Sequence, residues 1–232
     1  MAFFSKGDLA QAHALLKKQD PAHAAAAAIM YETASRPSEV LGNNRFGFEG
    51  LTWARVGLSG PKGTGSVRLE VAKRRGGDPP RARPKKLSIW QRLKGFFFSA
   101  PAQPTAGRKH KHWKNGKVSR STTTALRALR KSAARAGKGK ATDRVFAFRP
   151  GAHWKQCKAV AKKLKLRNSR SGPASGFTAR ANRRSCASHL SQAGWNTTQI
   201  KAVTAHKKAA YVEPYIVDVP AGRGALRVLR RR

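Results

Sequence analysis

Apolar positions in the first part of the chain recur at helical spacing. Leu9, Ala12 and Leu16 form one stripe behind Ser5 and Asp8, a pair spaced as in a capping box, so a helix is predicted over 5–18. Pro21 opens a second helix built on Ala24–Ala28, Ile29 and Met30 that closes near Ala34-Ser35, its alanines suited to tight packing. Arg36-Pro37-Ser38-Glu39 starts a third, short helix ending about Leu41, before Gly42-Asn43-Asn44. The period then changes. Residues 51–56 and 67–71 alternate apolar and polar and are predicted strands, with Lys73-Arg74-Arg75-Gly76-Gly77 as a basic turn. Pro79, Pro80 and Pro84 spoil the return strand, so the hairpin is expected to be irregular, and 88–98 reads as a short helix. Helical spacing returns at Trp154, Cys157, Val160, Ala161 and Leu164. It continues at Cys186, Leu190 and Ala193, which Gly194 terminates. Ile200 and Val203 follow the capping-box start Asn196-Thr197-Thr198-Gln199. The pattern predicts a mainly α fold with a small β-hairpin or sheet, in the α+β class.

Charge changes this picture most. The 49 Lys+Arg residues face only 10 Asp+Glu, a formal net charge of +39 in 232 residues. Such an excess repels itself in the compact state and calls for a polyanionic partner, with nucleic acid favoured through counterion release. Between Asp78 and Asp143 there is no acidic residue at all. Residues 99–142 are therefore expected to be a basic insertion, disordered in the free protein, with 124–134 turning helical on DNA. Within it, Lys109, Lys111, Trp113 and Lys114, flanked by His110 and His112, look like a DNA-contacting strip; Arg74, Arg75 and Arg184 are further DNA-contact candidates. No apolar run approaches membrane length and no signal peptide is visible, so no membrane partner and an intracellular setting are expected: nucleus in a eukaryote, cytoplasm or nucleoid in a prokaryote. Cys157 and Cys186 have no partner spacing, so neither a metal site nor a disulfide is implied. With 40% hydrophobic residues the chain can still bury a core.

Arg180 and Arg183 stand three apart on a predicted helix; His206 follows 23 positions after Arg183, and Tyr215 nine after that. Two guanidinium forks, an imidazole and a phenol suit gripping and attacking a phosphate. This constellation resembles the tyrosine recombinase (phage integrase) family. Ala34-Ser35-Arg36-Pro37-Ser38-Glu39 is similar to the family's first arginine box, Lys73 at the strand tip to its hairpin lysine, and Arg183 through Gly194 to its second box and helix. Thr204-Ala205-His206 stands at its Leu-Gly-His element and Tyr215 at its nucleophile. Arg180 occupies a position usually held by His, and Asn182 one usually held by Leu. The resemblance divides the chain into two halves of a catalytic domain, 1–98 and 143–216, around the 99–142 insertion, with a basic tail at 217–232. A counterpart to the family's separate N-terminal DNA-clamping domain is absent from the sequence, which fits a truncated or decayed copy from a mobile element.

The resemblance implies site-specific recombination or integration: DNA is broken and rejoined through a 3′-phosphotyrosine, without metal, cofactor or small-molecule substrate. Arg36 and Arg183 would clamp the phosphate, Tyr215 attack, and Lys73 protonate the leaving oxygen. Arg180 and His206 would assist loss of the phenolic proton, His206 also bonding a phosphate oxygen. Tyr211 is a rival nucleophile. The partners implied are double-stranded DNA and further copies of the chain, as a tetramer on DNA. Two other readings fit the same charge: an inactive DNA-binding relic of this fold, and a basic RNA-binding protein of ribosomal character.

Overall fold

The computed structural model describes residues 4–43, 48–71, 112–166, 179–206 and 208–213. Helix α1 (Lys6–Gln19) starts where the sequence places it. Ser5 Oγ accepts the Asp8 N–H at 3.0 Å and the Asp8 carboxylate accepts the Ser5 N–H at 3.2 Å. Asp20 ends α1 and caps α2 (Pro21–Glu32), accepting the Ala22 N–H at 2.8 Å ahead of a proline-led first turn. Then comes α3 (Pro37–Leu41), where Glu39 accepts the Arg36 N–H at 2.9 Å.

Strand β1 (Val56–Gly57) pairs antiparallel with β2 (Gly65–Val71), Val56 opposite Val67, and β2 pairs with β3 (His112–Val118), giving the order β1-β2-β3. The remaining helices are α4 (Arg120–Arg135), α5 (Pro150–Lys163), α6 (Ala179–Gln192) and α7 (Thr197–Thr204). Asn196 caps α7 through the expected box with Gln199.

Helix α2 is the central element. Ala25, Ala26, Ile29 and Met30 join a core with Leu41, Trp53, Val67, Leu69, Val118, Leu126 and Phe146, beneath the sheet and α4. Its Ala27 belongs to a second core with Leu9, Ala12 and Leu16 of α1, Cys157 and Val160 of α5 and Ala181 of α6. A helix buried on two sides needs small residues to let its neighbours approach, which accounts for the alanine run.

Two expectations are corrected. Residues 51–56 are not a strand: Thr52 bridges Arg144, Trp53–Arg55 forms a 3-10 turn, and only Val56–Gly57 joins the sheet. The backbone there pairs instead with 141–145, through Trp53 N–H to Asp143 O and Val145 N–H to Leu51 O. Nor is 112–142 a disordered part of an insertion, because Val118 and Leu126 are buried core residues on β3 and α4. Composition concealed an amphipathic helix whose basic face is solvated and whose apolar stripe packs. The stretches 72–111 and 214–232 lie outside the described residues, and with them the expected hairpin tip, the 88–98 helix and the basic tail.

Candidate functional site

The site forms where α2 ends. Thr33 caps the helix and Ala34 adopts a left-handed conformation (φ +48°), turning the chain into Ser35 and Arg36. The Arg36 guanidinium is then held by Glu39 at 2.9 Å, a carboxylate that is 2% exposed. This local pairing is why Arg36 needs Glu39 three positions on.

Arg183 reaches this turn from α6 and is itself buried. Its Nη1 donates to Ala34 O at 2.8 Å, and its Nη2 donates to Thr204 O at 2.5 Å. Lys114 enters from β3 and repeats the arrangement one residue earlier on each helix, its Nζ donating to Thr33 O and to Val203 O, the latter at 3.1 Å. Two cations thus bridge the C-terminal carbonyls of α2 and α7, the negative ends of both helices. Ala205, also left-handed at φ +53°, turns the chain so that His206 folds back over this bridge. Its Nε2 lies 3.0 Å from Arg183 Nη2 and its Nδ1 lies 2.7 Å from Thr204 Oγ1.

The electrostatics follow from burial and crowding. Burial pushes the Lys114 ammonium down to about 8, Glu39 pulling upward and Arg183 and Arg36 pushing further down. Burial and then Arg183, Arg36 and Lys114 push His206 down to about 4, so its ring is neutral at pH 7. Arg36, Lys114, Arg183 and His206 therefore share one electrostatic neighbourhood with the carboxylate of Glu39.

Helix α6 is held in register by contacts behind the site. Phe4 N–H donates to Ser185 Oγ at 3.0 Å and Phe4 O accepts from His189 Nε2 at 3.0 Å. A carbonyl only accepts, so His189 carries its proton on Nε2 and its Nδ1 accepts from the Tyr31 hydroxyl at 2.9 Å. Asn182, beside Arg183, is tied to α1 through His13 Nε2 at 2.9 Å.

Of the residues singled out by sequence, Arg36, Arg183 and His206 meet here. Arg180 lies on α6 one turn before Arg183. Lys73, Arg74, Arg75, Lys109, Lys111 and Tyr215 lie outside the described residues. Lys114, read as part of a DNA-contacting strip, sits inside the cation cluster, while its neighbour Trp113 on β3 carries the guanidiniums of Arg55 and Arg68 over its ring at 4.6 and 4.9 Å. Arg184 is half-buried beside Arg183, and Tyr211 is exposed on a 3-10 turn. Thr204 was named by sequence only as part of the segment at the Leu-Gly-His element, with no role of its own; its place one residue before the turn into His206 was the signal that could have given it one. Both cysteines are free and buried, and burial pushes their thiols up, Cys157 to about 12 and Cys186 to about 11. Among the described residues no group of His, Cys, Asp and Glu could hold a metal ion, and no helix is long and apolar enough to cross a membrane.

Similar architecture is found in XerA recombinase, which superposes with a TM-score of 0.61 over 100% of this chain at 12% identity. XerH site-specific recombinase bound to its difH substrate gives 0.61 over 93% at 11% identity, and the Tn1549 transposon integrase in complex with circular intermediate DNA gives 0.55 over 98% at 14%. The fold is that of tyrosine recombinase catalytic domains. The chain spans 66%, 50% and 65% of those three chains respectively. No protein-family model and no curated protein sequence matches it. In this recombinase fold the α2 turn, β3, α6 and the end of α7 supply the cluster.

Proposed function

We propose that the protein is a DNA strand transferase of the tyrosine recombinase type, acting on double-stranded DNA as a homo-oligomer. The observation that carries the proposal is the convergence of Arg36, Lys114, Arg183 and His206 at the end of α2, within a recombinase fold. A phosphodiester under attack gains negative charge on its non-bridging oxygens, and prepositioned guanidiniums stabilise that charge with little reorganisation. Arg36 and Arg183 take this role. Tyr215, whose part rests on its spacing from His206, attacks phosphorus and releases its phenolic proton to water; the new P–O bond to the phenol forms as the bond to the 5′ oxygen breaks. The departing oxygen takes a proton from Lys114, which the β3 strand brings to the cluster and whose lowered affinity for its proton, about 8, suits donation near neutral pH. Reversal of these steps from a new 5′ hydroxyl rejoins the strand. XerH and the Tn1549 integrase are recorded with DNA bound, which supports DNA as the substrate class.

The test is trapping a covalent protein–DNA adduct on a nicked duplex. Wild type is expected to form it and Tyr215→Phe to form none; an undiminished adduct in Tyr215→Phe refutes the nucleophile. Lys114→Ala is expected to lose the adduct on ordinary DNA but to keep it on a duplex whose bridging 5′ oxygen is replaced by sulfur, a leaving group that needs no proton. Retention of DNA by the wild type with no adduct on any substrate overturns the enzyme and leaves the same fold holding DNA by charge.

A further inference from the structure

Arginine carries only N–H donors. Where Arg183 Nη2 meets His206 Nε2 at 3.0 Å, the imidazole nitrogen must therefore be the acceptor. A neutral ring with a bare Nε2 carries its proton on Nδ1, and Nδ1 lies 2.7 Å from Thr204 Oγ1. The hydroxyl oxygen accepts that proton, so the hydroxyl's own hydrogen points elsewhere. Ile200 O, 2.7 Å away in the preceding helical turn, receives it. Thr204 is wholly buried, so water does not compete for either bond. The chain of donors runs one way from end to end: Arg183 to His206, His206 to Thr204, Thr204 to Ile200 O.

We propose that Thr204 is a positioning residue that holds His206 as its Nδ1–H tautomer, with the Nε2 lone pair accepting from Arg183. This extends the strand-transfer reading and rests on it for its chemical consequence. Nε2, accepting from Arg183, then fixes the direction of a guanidinium assigned to the phosphate clamp. The lowered proton affinity of the ring agrees with the geometry, because a second ring proton would face the guanidinium. The left-handed Ala205 turns the chain so that the ring comes back over the helix end two residues behind it. An aliphatic residue at 204, as the recombinase resemblance would have it, offers Nδ1–H no acceptor.

Long-range proton–nitrogen correlation NMR on the full chain, labelled with nitrogen-15 histidine, reads the tautomer without DNA. Wild type is expected to show His206 protonated on Nδ1 and bare on Nε2. Thr204→Val, equal in shape but lacking the hydroxyl, is expected to lose that pattern with its circular dichroism unchanged. Its adduct formation on the nicked duplex should slow about tenfold, the worth of one net hydrogen bond. Thr204→Ser should restore both. A wild-type His206 protonated on Nε2 overturns the inference, and so does a Thr204→Val protein with unaltered tautomer and rate, or a serine variant that recovers neither. The two proposals fail separately. An Nδ1–H pattern without any adduct sinks strand transfer and leaves the tautomer standing, whereas an adduct formed with Nε2 protonated does the reverse.

Discussion

Ala205 at φ +53° and Ala34 at φ +48° occupy a region where a β-carbon crowds its own backbone, and both lie where a helix ends and the site begins. Glycine would relieve that crowding at the cost of a more flexible unfolded chain. For Ala205→Gly the relief wins, and urea denaturation is expected to show a gain of about 0.5–1 kcal/mol. A loss would mean that the alanine methyl packs favourably. The residue scale is also where sequence spoke most clearly. The sequence placed a helix start at Arg36-Pro37-Ser38-Glu39, and the helix begins there, with Arg36 and Glu39 in local contact on one turn. Arg183 is different: its partners Ala34 O and Thr204 O lie 149 and 21 positions away, so its helix face was visible in the pattern but its bridging of two helix ends was not.

At the scale of elements, β3 and α4 gave the largest surprise. Glu32 at the end of α2 accepts from Ser119 N–H at 2.9 Å, from the Ser119 hydroxyl at 2.6 Å and from the Thr122 hydroxyl at 2.9 Å, fastening the start of α4 to the central helix. Below that cap, Leu126 is fully buried against α2 and the sheet. Leu126→Ala should cost about 2–5 kcal/mol, as for a large core side chain truncated without collapse. A cost under about 0.5 kcal/mol, as at a solvated surface position, would show α4 to be an appendage. The basic face misled because lysine, arginine, serine and glycine dominate the stretch by count, while a few apolar positions, Val118, Leu126 and Leu129 among them, determine its packing. The same blind spot hid Lys114. A strand is recognised from alternation, and His112-Trp113-Lys114-Asn115-Gly116-Lys117-Val118 barely alternates; its partner β2 lies beyond the stretch 72–111. Cross-strand pairing is a long-range contact that no local period announces.

For the whole molecule, acid is the expected weakness. His13, His23, His153, His189 and His206 all have their proton affinity lowered, chiefly by burial. The sharpest case is His153, fully buried, pushed down to about 3 and facing His23 Nδ1 to Nδ1 at 2.9 Å, where a second proton would set N–H against N–H. The unfolded chain takes up these protons below about pH 6.5 while the folded chain refuses them, so stability falls as the pH drops from there. From pH 6.5 to 5, His153 alone accounts for roughly 2 kcal/mol, at about 1.4 kcal/mol per pH unit. Urea midpoints across that range should drop steeply in wild type and less steeply in His153→Phe; parallel curves would contradict the assignment. The formal charge of +39 adds to this, because ten carboxylates cannot offset 49 cationic side chains and each new proton raises the self-repulsion.

The sequence by itself determined the helices around the site and their ends, because caps, periodicity and proline or glycine stops act within a few residues. It also determined the cationic character of the protein and the order Arg36, Arg183, His206 along the chain. Tertiary structure alone decided that α2 lies between two cores, that Lys114 joins the cluster, and that Thr204 sets the proton on His206. Each of these depends on which carbonyl, ring nitrogen or strand comes to lie opposite a given side chain. Such a pairing arises only when elements far apart in the chain pack together, and so leaves no periodic trace in the residues that make it.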